Sequence, residues 1–261
     1  MWNRFAIGVR VYGAGLSGSP AVHVGVGAFV VAATAVSVGA IVQGSIGFGL
    51  NLLSAPFVAI VVPRALPATL VLVAFPLAVT LLAREHAHVH RRALPWLVLG
   101  AVPGTTLGLL IVGHVSSTEL AIVVGSITLL GVALSVVSPP VTVTAATAFA
   151  AGFVSNVFGT ASSVGGPPVG LLFQHHPGPE ARATLSGFFA TSALLSLLGY
   201  VLTGNITVDQ LRFAAELLPF MVGGFWISRH LHGRVDQGWL RPTVLALSAT
   251  AGAVAILRAV L

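Results

Sequence analysis

Hydrophobic residues fill this chain in long blocks with few polar interruptions. Apolar segments cover about 24–62, 65–83, 94–113, 119–138, 143–174, 183–203, 211–228 and 241–260. Within each block the apolar positions are continuous and do not alternate, which predicts helices and argues against the strands of a barrel. Six segments come close to the roughly 20 residues that carry a helix across a bilayer core. The first and the fifth are too long for one crossing, and each is interrupted by glycines and small polar residues. The first interruption lies in "QGSIGFGLN" at 43–51, the second between Gly159 and Pro168. The pattern predicts an all-α polytopic membrane protein whose first and fifth segments are broken or re-entrant helices.

Composition sharpens the membrane reading and removes others. Of 261 residues, 56% are hydrophobic and 7% charged, and the mean hydropathy is +1.00. A soluble domain carries about a quarter charged residues, so this chain cannot clothe a water-facing surface. The net charge of +6 comes from 12 arginines, with no lysine, against 6 acids. The arginines sit at segment ends, where they set topology and meet headgroups; no basic patch could track a phosphate backbone, so no nucleic-acid partner is expected. The absence of cysteine excludes disulfides and thiolate metal sites. Arg10 interrupts what would be the apolar core of a signal peptide, so residues 1–22 read as a tail.

The two interrupted segments correspond to one another. A shift of 115 residues places Gly159 on Gly44, Thr160 on Ser45, and Ala183-Thr184-Leu185 on Ala68-Thr69-Leu70. A shift of 116 places Pro219 on Pro103, Gly224 on Gly108 and His230 on His114, and Gly252 answers Gly131 at 121. Nearly constant spacing over half the chain predicts two homologous four-segment repeats, 23–138 and 139–261. Arginine placement bears on their orientation. If both broken segments are hairpins, Arg84, Arg91, Arg92, Arg182, Arg229, Arg234 and Arg241 fall on one side. Arg64 and Arg212 fall on the other, with Arg4, Arg10 and Arg258 at the termini. The positive-inside rule then predicts inverted repeats with both termini outside.

Paired broken helices in corresponding places point to a binding site near the bilayer midplane. Lipid cannot satisfy the peptide groups that a break frees, so the break must line protein or a watery cavity. Freed N–H groups at a half-helix start favour an anion. The candidates in the first break are Gly44, Ser45, Gly47 and Gly49, and in the second Gly159, Thr160, Ser162, Ser163, Gly165, Gly166 and Pro167. Their alternative role is close helix packing through small residues. Gln43, Asn51 and Asn156 are neutral amides that can bind substrate or cap the broken ends.

The same stretches carry a resemblance. "GSIGFGLNLLSAP" (44–56), "ALPATL" (65–70) and "GFVSNVFGTASSVGGPPVGLLF" (152–173) occur in an order and spacing similar to the sulfite exporter TauE/SafE family of membrane permeases. "RATLSGFFATSALLSLLGYVLTG" (182–204) and "LLPFMVGGFWISRHLHGRVD" (217–236) extend the likeness over about residues 25–261. The resemblance implies a bacterial inner-membrane permease for a small anion, sulfite or an organosulfonate such as sulfoacetate. It implies no cofactor, and a homodimer is compatible with it. The first break departs from the family's run of consecutive glycines, with Ile46, Phe48 and Asn51 beside it; that bears on the substrate more than on the fold. A passive channel on the same scaffold is the alternative, and a membrane-embedded enzyme a more distant one.

Three further features have ordinary readings. Glu216, an acid inside the seventh segment, could carry a coupling proton or pair with Arg212 four residues earlier. "EHAHVHRR" (85–92) alternates histidines but lacks the further ligands of a metal site, so it reads as a basic loop, and His175-His176 reads as a loop end. "ASSVG" (161–165) echoes a hydrolase elbow only faintly, because no strand precedes it and alanine takes the first glycine's place.

Overall fold

The computed structural model describes residues 24–137, 141–231 and 237–260. The tail at 1–22 lies outside the described residues, as do the side chains of Arg234 and Arg241. The described chain is all helical: α1 (Val26–Ile46), α2 (Leu50–Val61), α3 (Ala68–Glu85), α4 (Leu94–His114), α5 (Ser117–Val137), α6 (Ala145–Ser162), α7 (Gly166–Leu172), α8 (Gly178–Thr203), α9 (Val208–Leu231) and α10 (Gln237–Val260), with 3-10 turns at Pro63–Ala65 and His86–His88. Six of these helices are long and apolar enough to cross a membrane. The chain is therefore a membrane protein.

The two long apolar segments are each split into a long and a short helix, and the short one folds back. Ser54 on α2 donates its hydroxyl to Ala35 O on α1 at 3.1 Å. An ideal Cβ on Gly39 would lie 2.7 Å from Leu50 O, so α1 and α2 close through that glycine. On the other side, the Val169 amide of α7 donates to Ser155 Oγ on α6 at 3.2 Å. Both pairs are antiparallel hairpins. The breaks are shorter than the sequence suggests: α1 runs on through Gly44 and Ser45 to Ile46, and α6 through Gly159 and Thr160 to Ser162.

The remaining helices hold the hairpins from outside. The α6 helix lies parallel to α4 along a GxxxGxxxG stripe. Ideal Cβ atoms on Gly100, Gly104 and Gly108 would stand 2.1 Å from Phe149 O, 2.5 Å from Phe153 O and 2.6 Å from Thr160 Cβ. Between helices in lipid there is little hydrophobic force, so close backbone approach through small residues supplies the attraction. The α1 helix lies parallel to α9, where Ser37 bonds Phe220 O and an ideal Cβ on Gly224 would lie 2.2 Å from Ser37 O. An ideal Cβ on Gly44 would lie 2.2 Å from Ser228 Oγ in the same contact. At the centre α3 and α8 run antiparallel: Glu85 meets Arg182 at one end, and Tyr200 packs with Ala68 and Val71 at the other. The α5 helix packs on α10, Gly125 against Ile256 and Thr128 against Gly252.

The α4–α6 contact gives a direct test. Gly100→Val should cost about 3 kcal/mol by forcing the helices apart, seen as a lower melting temperature or loss of monodisperse protein in detergent. Gly223→Ala, whose Cβ would meet nothing within 4 Å, should leave both unchanged.

Candidate functional site

The breaks themselves are closed by side chains. Gly47 (φ 92°) ends α1 with its amide on Gln43 O at 2.8 Å, and the Gln43 side-chain oxygen accepts from the Leu50 amide at 3.2 Å. One residue thus finishes one helix and starts the next. Gly49 takes φ 126°, open only to glycine at low cost. In the second break Ser163 holds the left-handed conformation (φ 65°), and its amide bonds Gly159 O at 2.8 Å. Ser162 accepts from the Val164 amide at 3.2 Å, and Gly165 lies so near Ser155 O that an ideal Cβ would stand at 2.7 Å.

Most of the N–H groups freed at the second break are already absent or used. Pro167 and Pro168 have none, and Val169 gives its own to Ser155. At the first break Gln43 takes Leu50, while the amides of Asn51 and Leu52 lie in the first turn of α2, where a helix offers no internal acceptor.

A cavity opens where the two hairpin tips meet α3 and α8. The α1–α2 hairpin contributes Gln43, Phe48, Gly49, Asn51 and Leu52, and the α6–α7 hairpin Ser155, Asn156, Gly159, Ser163, Gly165 and Gly166. Val71 and Ala74 come from α3; Phe188, Phe189, Ser192, Ala193 and Ser196 come from α8. No lining residue carries a titratable side chain. Phe48 joins the two tips, its ring 3.0 and 3.3 Å from ideal Cβ atoms on Gly166 and Gly170.

Two lining groups stand out because they are buried and lack a hydrogen-bond partner: Asn51 Oδ1 and Ser192 Oγ. Buried polar groups are nearly always satisfied, so unpartnered ones facing a cavity mark where a polar guest would be held. Their neighbours are committed. Asn156 donates to Ala101 O at 2.9 Å and to Thr105 Oγ1, tying α6 to α4. Ser196 shares a hydrogen bond of 2.7 Å with Thr160, whose carbonyl accepts from the Tyr200 hydroxyl.

Of the residues singled out from the sequence, Gln43, Gly49, Asn51, Asn156, Gly159, Ser163, Gly165 and Gly166 are brought together around the cavity. Gly44, Ser45, Gly47, Thr160, Ser162 and Pro167 are not part of its lining. Gly44 packs on Ser228, and the Ser45 hydroxyl turns back to Ile41 O at 2.8 Å. Ser162 does the same toward Phe158 O at 2.8 Å, and Thr160 acts from behind through Ser196. The sequence reading missed Ser155 and the α8 face of Ser192 and Ser196. Their spacing of four residues, which puts both hydroxyls on one face of α8, was the available signal.

Charge lies outside the cavity. Arg182 packs against Gly47, an ideal Cβ there standing 2.9 Å from Arg182 Cγ, and its Nε reaches both Glu85 carboxylate oxygens at 3.1 Å. Glu216 is exposed on α9, away from the lining. The expected pair with Arg212 is replaced: Arg212 Nη1 lies 3.9 Å from Asp209 Oδ1, the acid one turn before it.

The fold and this site define an α-helical membrane protein with a neutral, hydroxyl- and amide-lined cavity at the meeting of two broken helices. Residues 24–255 match the sulfite exporter TauE/SafE family. The chain belongs to that family. Neither the curated proteins nor the solved structures compared with it give a match.

The ion pair beside the first break should be structural. Arg182 and Glu85 side chains are 17% and 13% exposed, and removing one partner of such a pair strands a desolvated charge. Glu85→Ala should destabilise by about 3 kcal/mol, with the Glu85→Ala/Arg182→Ala double variant recovering part of the loss in thermal melts.

Proposed function

We propose that this chain is an alternating-access permease of the bacterial inner membrane, carrying a small sulfur oxyanion or organosulfonate such as sulfite or sulfoacetate. The observation that carries this reading is the unpartnered Ser192 hydroxyl, facing the same cavity as the Asn51 carboxamide where the two hairpin tips meet. The Ser192 hydroxyl and the first-turn amides of α2 are donors for anionic oxygens; the Asn51 carboxamide supplies a second orientable group.

A lining without fixed charge has a consequence for the substrate. Moving an anion from water into a neutral site is costly, and far more so for two charges than for one. Between the two candidates the site therefore suits hydrogensulfite, the singly charged form of sulfite, better than sulfoacetate, whose carboxylate adds a second charge to its sulfonate. Phe48, Phe188, Phe189 and Leu52 offer apolar surface for a short carbon chain. Weak, neutral coordination also favours release, which transport needs as much as capture.

We infer further that the halves 23–138 and 139–261 are inverted repeats, preceded by the tail. Exchanging α1–α5 with α6–α10 turns the α1–α9 packing into α6–α4, and α3–α9 into α8–α4. It maps α3–α8 and α5–α10 onto themselves. Both self-paired contacts are antiparallel, as a two-fold axis in the membrane plane requires. In this arrangement the hairpins enter from opposite sides and one rocks against the other.

Purified chain in proteoliposomes should move sulfite or sulfoacetate and accumulate it against its own gradient when an ion gradient is imposed; equilibration alone would indicate the channel. Ser192→Ala should raise the half-saturating concentration about tenfold, the worth of one hydrogen bond to a charged group, with Ser45→Ala unchanged. No transport of either anion by well-folded protein would overturn the reading. For topology, a single cysteine at position 114 should react with an impermeant maleimide from outside the cell, and one at position 88 only after permeabilisation; the reverse pattern would overturn the orientation.

A further inference from the structure

We propose that His90, His176 and Glu180 form a binding site for a divalent transition-metal ion of the zinc type, at the end of the bundle where α3 passes to α4 and α7 to α8. One donor atom from each of the three side chains lies within 4.8 Å of the other two. His90 Nε2 is 3.9 Å from Glu180 Oε1, beyond hydrogen-bond reach yet close to the separation of two ligands around one ion. With metal–ligand bonds of about 2.0–2.2 Å, donors on a tetrahedral ion stand roughly 3.3–3.6 Å apart, so the widest pair of the cluster needs to close by about an ångström, within reach of a side-chain rotation.

Independent features point the same way. His176 Nδ1 is buried with no hydrogen-bond partner, an expensive condition that a bound cation at this imidazole relieves through coordination or through a change of tautomer. Among the described residues no arginine pairs with Glu180, and Arg182, two residues on, gives its Nε to Glu85. The three ligands are also held in place. The His90 amide donates to Thr184 Oγ1 at 2.9 Å, and Thr184 donates to Glu180 O at 2.8 Å, which fastens the loop before α4 to the first turn of α8. The Phe173 ring stands against both imidazoles, 5.9 Å from His90 and 5.0 Å from His176 by centroid, and the imidazoles are 5.9 Å apart.

The donor set selects the ion. Two imidazoles and one carboxylate suit a borderline cation such as Zn²⁺, whereas Ca²⁺ and Mg²⁺ want more oxygens and Cu⁺ wants sulfur. Three protein ligands leave a fourth position to water or an anion. In the structure His90 Nδ1 accepts from the Ala93 amide at 3.1 Å, which leaves the proton on Nε2. Binding through Nε2 moves the proton to Nδ1, and the contact between Nδ1 and the Ala93 amide then opens. The Ala93 amide keeps a partner throughout, since it also reaches His90 O at 3.1 Å. The loop sequence alone hides this site, because the other two ligands, His176 and Glu180, come from a separate loop and helix start far along the chain.

The test uses the purified full chain in detergent, with Zn²⁺ and Co²⁺ as probes. We expect about one ion per chain by elemental analysis, a Co²⁺ visible band of a low-coordinate N/O site, and a melting temperature raised by several degrees and returned by EDTA. His176→Ala and Glu180→Gln should each weaken binding at least about tenfold, while His175→Ala and His86→Ala should not. Glu180→Gln decides the matter should His176→Ala fail to fold. No saturable binding below about 100 μM, or equal affinity in Glu180→Gln and the parent chain, would overturn the proposal.

Discussion

A peptide group released from a helix inside lipid has no water to bond, and this constraint organises the molecule. Each break is therefore stitched by side chains from its own surroundings. Gln43 bridges the first, its carbonyl closing α1 and its side chain opening α2. Ser155 and Ser162 stitch the second, with two prolines reducing the number of amides that need a partner. The result is a pair of rigid tips whose remaining polar groups face a single cavity. Had the breaks been left to a watery pore, many more donors would be free; instead Asn51 and Ser192 are singled out.

Rigidity at the tips depends on how tightly the long arms are held. The glycine stripe of α4 brings its backbone against α6, and Asn156 then reaches Ala101 O across the same contact. Thr160, Ser196 and Tyr200 extend the connection to α8, so the helix that carries Ser192 is tied to the hairpin it faces. The other hairpin is held through Gly224 and Ser228 of α9. Packing and site thus share residues, and a residue such as Thr160 matters through what it positions.

Charge is arranged at the margin. Arg182 lies against the first tip but spends its guanidinium on Glu85, leaving the cavity walls neutral. An anion entering such a site trades hydration for hydroxyl and amide contacts, and the loss of hydration favours a single charge. The same membrane end gathers His90, His176 and Glu180, held by Thr184 and Phe173.

Much of this was legible in the residues themselves, for definite reasons. Continuous apolar blocks of this length read as helices in lipid, and "QGSIGFGLN" and "FGTASSVGG" mark breaks that protein must cover, although Gly44 and Gly159 within them stay helical. The near-constant offset between the two halves is a property of the chain and needs no coordinates. What the tertiary structure decided is which polar groups remain unspent. Ser45 and Ser162 carry the same hydroxyl as Ser192, but theirs return to their own helix while that of Ser192 makes no hydrogen bond. Gly44 and Gly49 differ by five residues, yet one meets α9 and the other the cavity. Such outcomes depend on crossing angles and on partners more than 30 residues away, and local pattern carries neither.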